Sequence, residues 1–305
     1  MGKTQTKYAN DNVVLENERS QGVEKLVNEL TTFKFFKYLY AKNMFKMFGL
    51  NLLMCIFLVP MVILYYKYLI NYTAFYSTIA TNSSIGLGFS YWSGITQYST
   101  MVLNDLQSTF WLWAILSITV TSFAFAGGIC VLRNAFWSGE LCVSKNFYKG
   151  IYQCGIVAFI GFAIVSGAIC GLQHLNIAMA NTSEFLSILV NIVLWIFIGL
   201  LCMFVFALTS VMATYKQSFG VSIKTTLAII KKYFISTVLN FLMSLAPIFI
   251  VLLFGNSQLF IVIIVLIAMI GMYYVVLVWQ THMMKIFSIY HPVEKKVVKH
   301  KKQYK

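Results

Sequence analysis

"LRNAFWSGELCVSKNFYKGI", Leu132–Ile151, places Arg133, Glu140, Lys145 and Lys149 between two long uncharged stretches. The flanks of this segment decide the fold. No lysine or arginine occurs from Tyr68 to Leu132, and none occurs from Gly150 to Tyr215. An apolar run of roughly 18 or more residues crosses a bilayer as a helix, because about 20 residues at 1.5 Å rise cover a hydrocarbon layer about 30 Å thick. The chain has 305 residues, of which 59% are hydrophobic and 10% charged. Soluble domains carry about 25% charged residues. A polytopic integral membrane protein is therefore expected.

Reading every apolar run this way gives six spans, at about residues 47–66, 110–132, 151–172, 185–212, 234–254 and 259–279. Lysine and arginine in the connections set their orientation. The approach "FKFFKYLYAKNMFK" carries Lys34, Lys37, Lys42 and Lys46, and the turn after the second span carries Arg133, Lys145 and Lys149. The turn "TYKQSFGVSIKTTLAIIKKY" carries Lys216, Lys224, Lys231 and Lys232, and the tail from Lys285 to Lys305 is strongly basic. Of the intervening connections, "QHLNIAMANTSE" and "GNSQ" carry no basic residue, and the one at 67–109 carries only Lys67, at the very end of the first span. Basic and bare connections alternate throughout. An even number of spans with both termini in the cytoplasm fits this pattern, and the expected location is the cytoplasmic membrane.

The expected architecture is all-α, with six transmembrane helices as three helical hairpins led by cytoplasmic amphipathic helices. Residues 1–30 read as a polar cytoplasmic tail, 31–284 as the membrane domain and 285–305 as a basic cytoplasmic tail. The long outer connection at 67–109 is polar and aromatic, and a short interfacial helix is one way to fill it. Tyr65, Tyr66, Trp111, Trp113, Trp137 and Trp279 fall near span ends, as interfacial anchors do. The net charge is +14, yet residues 1–30 hold four basic and five acidic residues, so the excess lies beyond them. That placement fits orientation and attraction to anionic lipid, and no nucleic-acid partner is expected.

Chemistry-bearing constellations are absent from this reading. The six cysteines form no CxxC pair, and most lie in apolar runs, so neither a metal site nor a disulfide framework is expected. His174, His282, His291 and His300 show no metal-ligand spacing and read as solvated or interfacial. None of the six spans contains Asp, Glu, Lys or Arg, which argues against proton-coupled transport and intramembrane aspartyl proteolysis. No nucleophile–base pair stands out, and no enzyme activity or cofactor is expected. Asn51, Asn191 and Asn240 are expected to bond across helices. Gly167 and Gly171 form a GxxxG that fits helix packing, within the chain or between copies.

Two readings fit the opening segment. It is a topology-setting turn, or it is a docking helix for a cytoplasmic partner or lipid. Ser138-Gly139-Glu140 resembles a helix start, after which Lys145 and Lys149 lie one turn apart with Phe147 alongside. The approach "FGVSIKTTLAIIKKYF" spaces Val221, Ile223, Leu227, Ile230 and Phe234 as an amphipathic helix, with Lys224, Lys231 and Lys232 elsewhere on the wheel.

The stretch "LRNAFWSGELCVSKNFYKGIYQ" resembles the YesL-like family of bacterial integral membrane proteins, a domain of unknown function, at Arg133, Gly139, Glu140, Lys145, Phe147 and Lys149. "YKQSFGVSIKTTLAIIKKYF" is similar to that family's second cytoplasmic turn. The family's usual asparagine before the third span is absent, with Tyr152 and Gln153 in its place, the outer connection at 67–109 is longer than the family's, and the basic tail is extra. The resemblance implies an accessory role beside carbohydrate ABC transporters. The expected function is thus a non-enzymatic accessory or scaffold protein of a transport or envelope system. The competing expectation is a permease subunit that couples to an ATPase through residues 132–151.

Overall fold

The computed structural model describes residues 32–84, 93–138, 141–179, 184–215, 217–253 and 271–289. Among them the fold is helical throughout, with no strand. In hydrocarbon the backbone finds no water, so apolar runs close their hydrogen bonds within helices. The first two helices are α1 (Thr32–Ile56) and α2 (Val59–Ser84), followed by the long α3 (Ser93–Ser138) and α4 (Val143–Ala178). Next come α5 (Glu184–Thr214), α6 (Phe219–Lys232), α7 (Phe234–Ser244) and α8 (Ala246–Leu253). The last described helix is α9 (Met272–Ile289).

Three helices are long and apolar enough to cross a membrane: Met101–Phe136 within α3, all of α4, and Phe185–Thr214 within α5. Two bent pairs bring the number to five if each counts as one span. One joins Asn43–Ile56 to Val59–Phe75 at 56°, and the other joins Phe219–Lys232 to Phe234–Ser244 at 97°. The expected six are therefore reached only in part. Most of the expected span 259–279 lies outside the described residues.

Among the described residues, the polar outer connection at 67–109 continues the helices on either side, α2 to Ser84 and α3 from Ser93, and residues 85–92 lie outside them. With 46 residues, α3 is about 69 Å long, more than twice the hydrocarbon thickness, so it projects well beyond a bilayer. The expected three amphipathic leaders also differ from one another. The first is part of α1 and breaks at Asn43, whose φ −126° and ψ 22° leave the helical region. The second is simply the opening turns of α4, continuous with the helix that follows. Only the third, α6, is a separate helix.

Side-chain pairings fix how the helices run. α4 is antiparallel to α3, with Gly150 against Ala126 and Cys130, and Phe159 stacked on Phe123 at 5.5 Å. α5 runs parallel to α3, since Phe125 meets Phe206 and Arg133 reaches Ala213. α9 runs parallel to α5, pairing Ser210 with Gln280 and Tyr215 with Phe287. α7 opposes α9, pairing Thr237 with His282 and Phe241 with Trp279. The ends of α3, α5 and α9 and the starts of α4 and α7 therefore share one end of the bundle. That end carries Arg133, Lys145, Lys149, Lys231, Lys232 and Lys285, and α6 with Lys224 lies between the end of α5 and the start of α7.

Phe206 is the hub of the core. Its ring lies 4.1 Å from Phe125, 5.9 Å from Phe162, 5.5 Å from Phe241 and 5.7 Å from Trp279, centroid to centroid. These rings come from five different helices. Trp279 is fully buried there, and not at an interface as its place near a span end suggests.

Glycines let α3 and α4 approach, but not the expected ones. A Cβ on Gly127 would meet the Phe147 ring at 2.6 Å, and one on Gly150 would lie 2.5 Å from Cys130 Cβ and 2.7 Å from the Ala126 carbonyl oxygen. A Cβ on Gly167 or Gly171 meets nothing within 4 Å, so this GxxxG makes no close helix contact among the described residues. Gly150→Ala should therefore lower the unfolding midpoint of detergent-solubilised protein by several degrees, and Gly167→Ala and Gly171→Ala should leave it nearly unchanged. A thermal scan of the three variants tests this, and equal effects would contradict it.

Candidate interaction site

The charged end of the bundle holds most of the residues that the sequence marks for contact with a partner or lipid, and the structure divides them. Arg133 is fully buried and offers no surface to a partner. Its position explains why. Ala213 lies in the last turn of α5, where carbonyls have no partner within the helix and the helix end is electronegative. The Arg133 Nη1 donates to that Ala213 carbonyl. Its Nε and Nη2 donate to Asn134 Oδ1 at 3.2 and 2.7 Å. A buried cation is tolerable only with such bonds. Arg133 on α3 thus caps the end of α5 and ties the two parallel helices together.

Phe147 is likewise internal, packed on Gly127 and 6.0 Å from the Phe57 ring. Lys145 and Lys149 are exposed on the opening turns of α4, with Tyr148 and Tyr152 beside them, Tyr152 being 91% exposed. The helix start suggested by Ser138-Gly139-Glu140 is displaced: α3 runs through Ser138, and α4 begins at Val143 with Cys142 as its N-cap. Gly139 and Glu140 themselves lie outside the described residues. Lys224, Lys231 and Lys232 are all exposed on α6, with the Lys232 ammonium 5.4 Å from the centre of the Tyr233 ring.

Beneath this surface lies a polar layer that the sequence shows only as scattered residues. The Trp279 indole donates to Ser210 Oγ at 3.0 Å. Ser210 Oγ lies 3.0 Å from the Phe206 carbonyl and 3.1 Å from Gln280 Oε1, but a hydroxyl has one proton to give. Turning the Gln280 amide over would let its Nε2, which has no partner as placed, donate to Ser210 and leave that proton for Phe206. Thr237 Oγ1 meets His282 Nε2 at 3.5 Å, so His282 is internal and not solvated as expected. His174 is half-buried, its Nδ1 2.8 Å from the Cys170 carbonyl.

Two of the three asparagines bond across helices. Asn51 Oδ1 accepts the Tyr273 backbone N–H at 2.9 Å, which ties α1 to α9. Asn240 Nδ2 donates to the Val278 carbonyl at 3.2 Å. Asn191 instead donates to the Ser187 carbonyl of its own helix. Period and hydropathy identify these asparagines as unusual but cannot show which backbone group each one meets. No group of His, Cys, Asp and Glu among the described residues could hold a metal ion.

No family model, curated protein or solved structure matches the chain.

Removing the Arg133 guanidinium takes its bond from the end of α5 and two donors from the Asn134 oxygen. Loss of one partner from a buried hydrogen bond costs about 1–3 kcal/mol. Arg133→Ala should lower the unfolding midpoint, and Arg133→Lys should recover only part of the loss, because an ammonium cannot span both acceptors. Thermal unfolding in detergent reads both, and an unchanged midpoint in Arg133→Ala would refute the clamp.

Proposed function

We propose that this chain is a non-enzymatic integral protein of the cytoplasmic membrane that serves a transport or envelope complex as an accessory or scaffold subunit. One observation carries the proposal: a surface of lysine and tyrosine is displayed at the charged end on a rigid base. Lys145, Tyr148, Lys149 and Tyr152 are exposed on the opening turns of a helix whose next side chains are locked against α3. Tyrosine offers a large contact area at low entropic cost, and lysines favour acidic partners. Such a surface needs no internal motion to engage a neighbour.

The buried polar side chains support this reading over a permeation path. Thr209, Thr214, Thr226 and Thr281 each bond the carbonyl four residues back in their own helix, at 2.6 to 2.8 Å. Ser210, Asn51 and Asn240 bond between helices. Polar groups engaged this way hold helices together. The YesL-like resemblance of residues 132–153 supports carbohydrate uptake as the system served. Within it, Arg133 and Phe147 supply the internal base, and Lys145 and Lys149 supply the surface.

Affinity purification in mild detergent tests the proposal. The wild type should retain a reproducible membrane partner, and Tyr148→Ala with Tyr152→Ala should reduce its recovery at least fivefold without changing the unfolding midpoint. No reproducible partner, together with solute uptake by the purified protein alone, would overturn it in favour of a permease.

A further inference from the structure

The helix α6 turns its faces the wrong way for a helix packed on a protein core. Its buried residues are Ser222, Thr225, Thr226 and Ile229, three of them hydroxylic. Phe219 and Leu227 are each 53% exposed, and Lys224, Lys231 and Lys232 are exposed as well. At about 100° per residue these residues form three sectors of the wheel. Ser222, Thr225, Thr226 and Ile229 occupy the first, against the bundle. Phe219, Ile223, Ile230 and Leu227 form the second, an apolar edge. Lys231, Lys224 and Lys232 form the third, a basic edge.

A helix on a water-exposed surface has no use for an outward apolar edge, and a helix inside hydrocarbon has no use for three lysines. Both edges are satisfied only at the boundary between headgroups and acyl chains, where in-plane amphipathic helices lie. The turn into α7 agrees. The two helices meet at 97°, so α6 lies close to the membrane plane wherever α7 runs along its normal. Lys231 and Lys232 also stand in the last turn of α6, where cations complement the helix end and add positive potential toward the membrane surface.

We propose that the outward face of α6, with Phe219 and Leu227 on its apolar edge and Lys224, Lys231 and Lys232 on its basic edge, is a binding surface for anionic phospholipid headgroups. The apolar edge enters the acyl boundary, and the lysines meet the phosphates above it. Ser222, Thr225, Thr226 and Ile229 are buried against the bundle, so bound lipid contacts the protein at a fixed site. This inference requires the chain to be membrane-embedded but does not depend on which complex it serves.

Native mass spectrometry of the full-length protein in detergent, titrated with phosphatidylglycerol or phosphatidylcholine, tests it. A lysine near a charged membrane surface contributes about fivefold in binding. The variant K224Q/K231Q/K232Q should therefore bind phosphatidylglycerol at least tenfold more weakly, with phosphatidylcholine binding unchanged. The tail variant K295Q/K296Q/K299Q, which removes equal charge elsewhere, should change it less than threefold. Equal losses in the two variants, or no loss in the first, would overturn the proposal. Displacement of the lipid by inorganic phosphate would overturn it too, by showing a phosphate site and not a lipid surface. A second readout addresses the apolar edge: Leu227→Trp in nanodiscs should gain emission that brominated phosphatidylglycerol quenches. Quenching by aqueous iodide alone would contradict the in-plane placement.

Discussion

Backbone groups at the ends of helices inside this bundle find their partners on other helices, and the arrangement of the charged end depends on that. A helix leaves its first amides and last carbonyls unpaired, and in a medium without water each such group is costly. Arg133 of α3 supplies a donor for the end of α5, and Asn51 of α1 accepts the Tyr273 backbone N–H of α9. The two side chains sit on elements distant in sequence from the groups they bond. Capping and tertiary packing are thus one interaction, and the register of α1 against α9 and of α3 against α5 follows from it.

This division of labour explains why polar residues in so apolar a chain fall into two classes. Threonines along α5, α6 and α9 close locally on their own helices and leave smooth, close-packing surfaces. Ser210, Trp279, Asn51 and Asn240 reach between helices, around an aromatic hub at Phe206 to which five helices contribute. With the interior settled in this way, the lysines stay at the surface. The same end of the molecule therefore contains an arginine that holds the fold and lysines that face outward.

The helical, membrane-spanning character was legible because composition and run length answer directly to bilayer thickness. Breaks within spans were less legible. The helix break between Ile56 and Val59 falls inside an apolar run, where hydropathy does not change. The 97° turn at Tyr233, by contrast, follows Lys231 and Lys232 and coincides with the expected start of a span. Arg133 was misplaced for a related reason. Its charge marks the end of an apolar run, but α3 continues to Ser138 and folds the guanidinium inward against α5, a contact 80 residues away in sequence. The GxxxG at Gly167 and Gly171 meets no neighbour among the described residues; spacing shows which face is small, not what lies opposite it. Gly127 and Gly150, which have no such spacing, are where the helices meet. In α6 the period was readable, but the choice of the hydroxylic face for burial follows from the helix it packs on.

Amide hydrogen exchange at the start of α9 tests the central claim most directly, in protein reconstituted into nanodiscs. With Asn51 present, the Tyr273 amide should be protected. In Asn51→Leu, which keeps the side-chain volume and removes the acceptor, exchange at Tyr273 should rise at least tenfold while the amides of α4 keep their protection. Equal exchange at Tyr273 in the two proteins would mean that the start of α9 does not depend on a side chain from α1, and the account of interhelical bonding would fail.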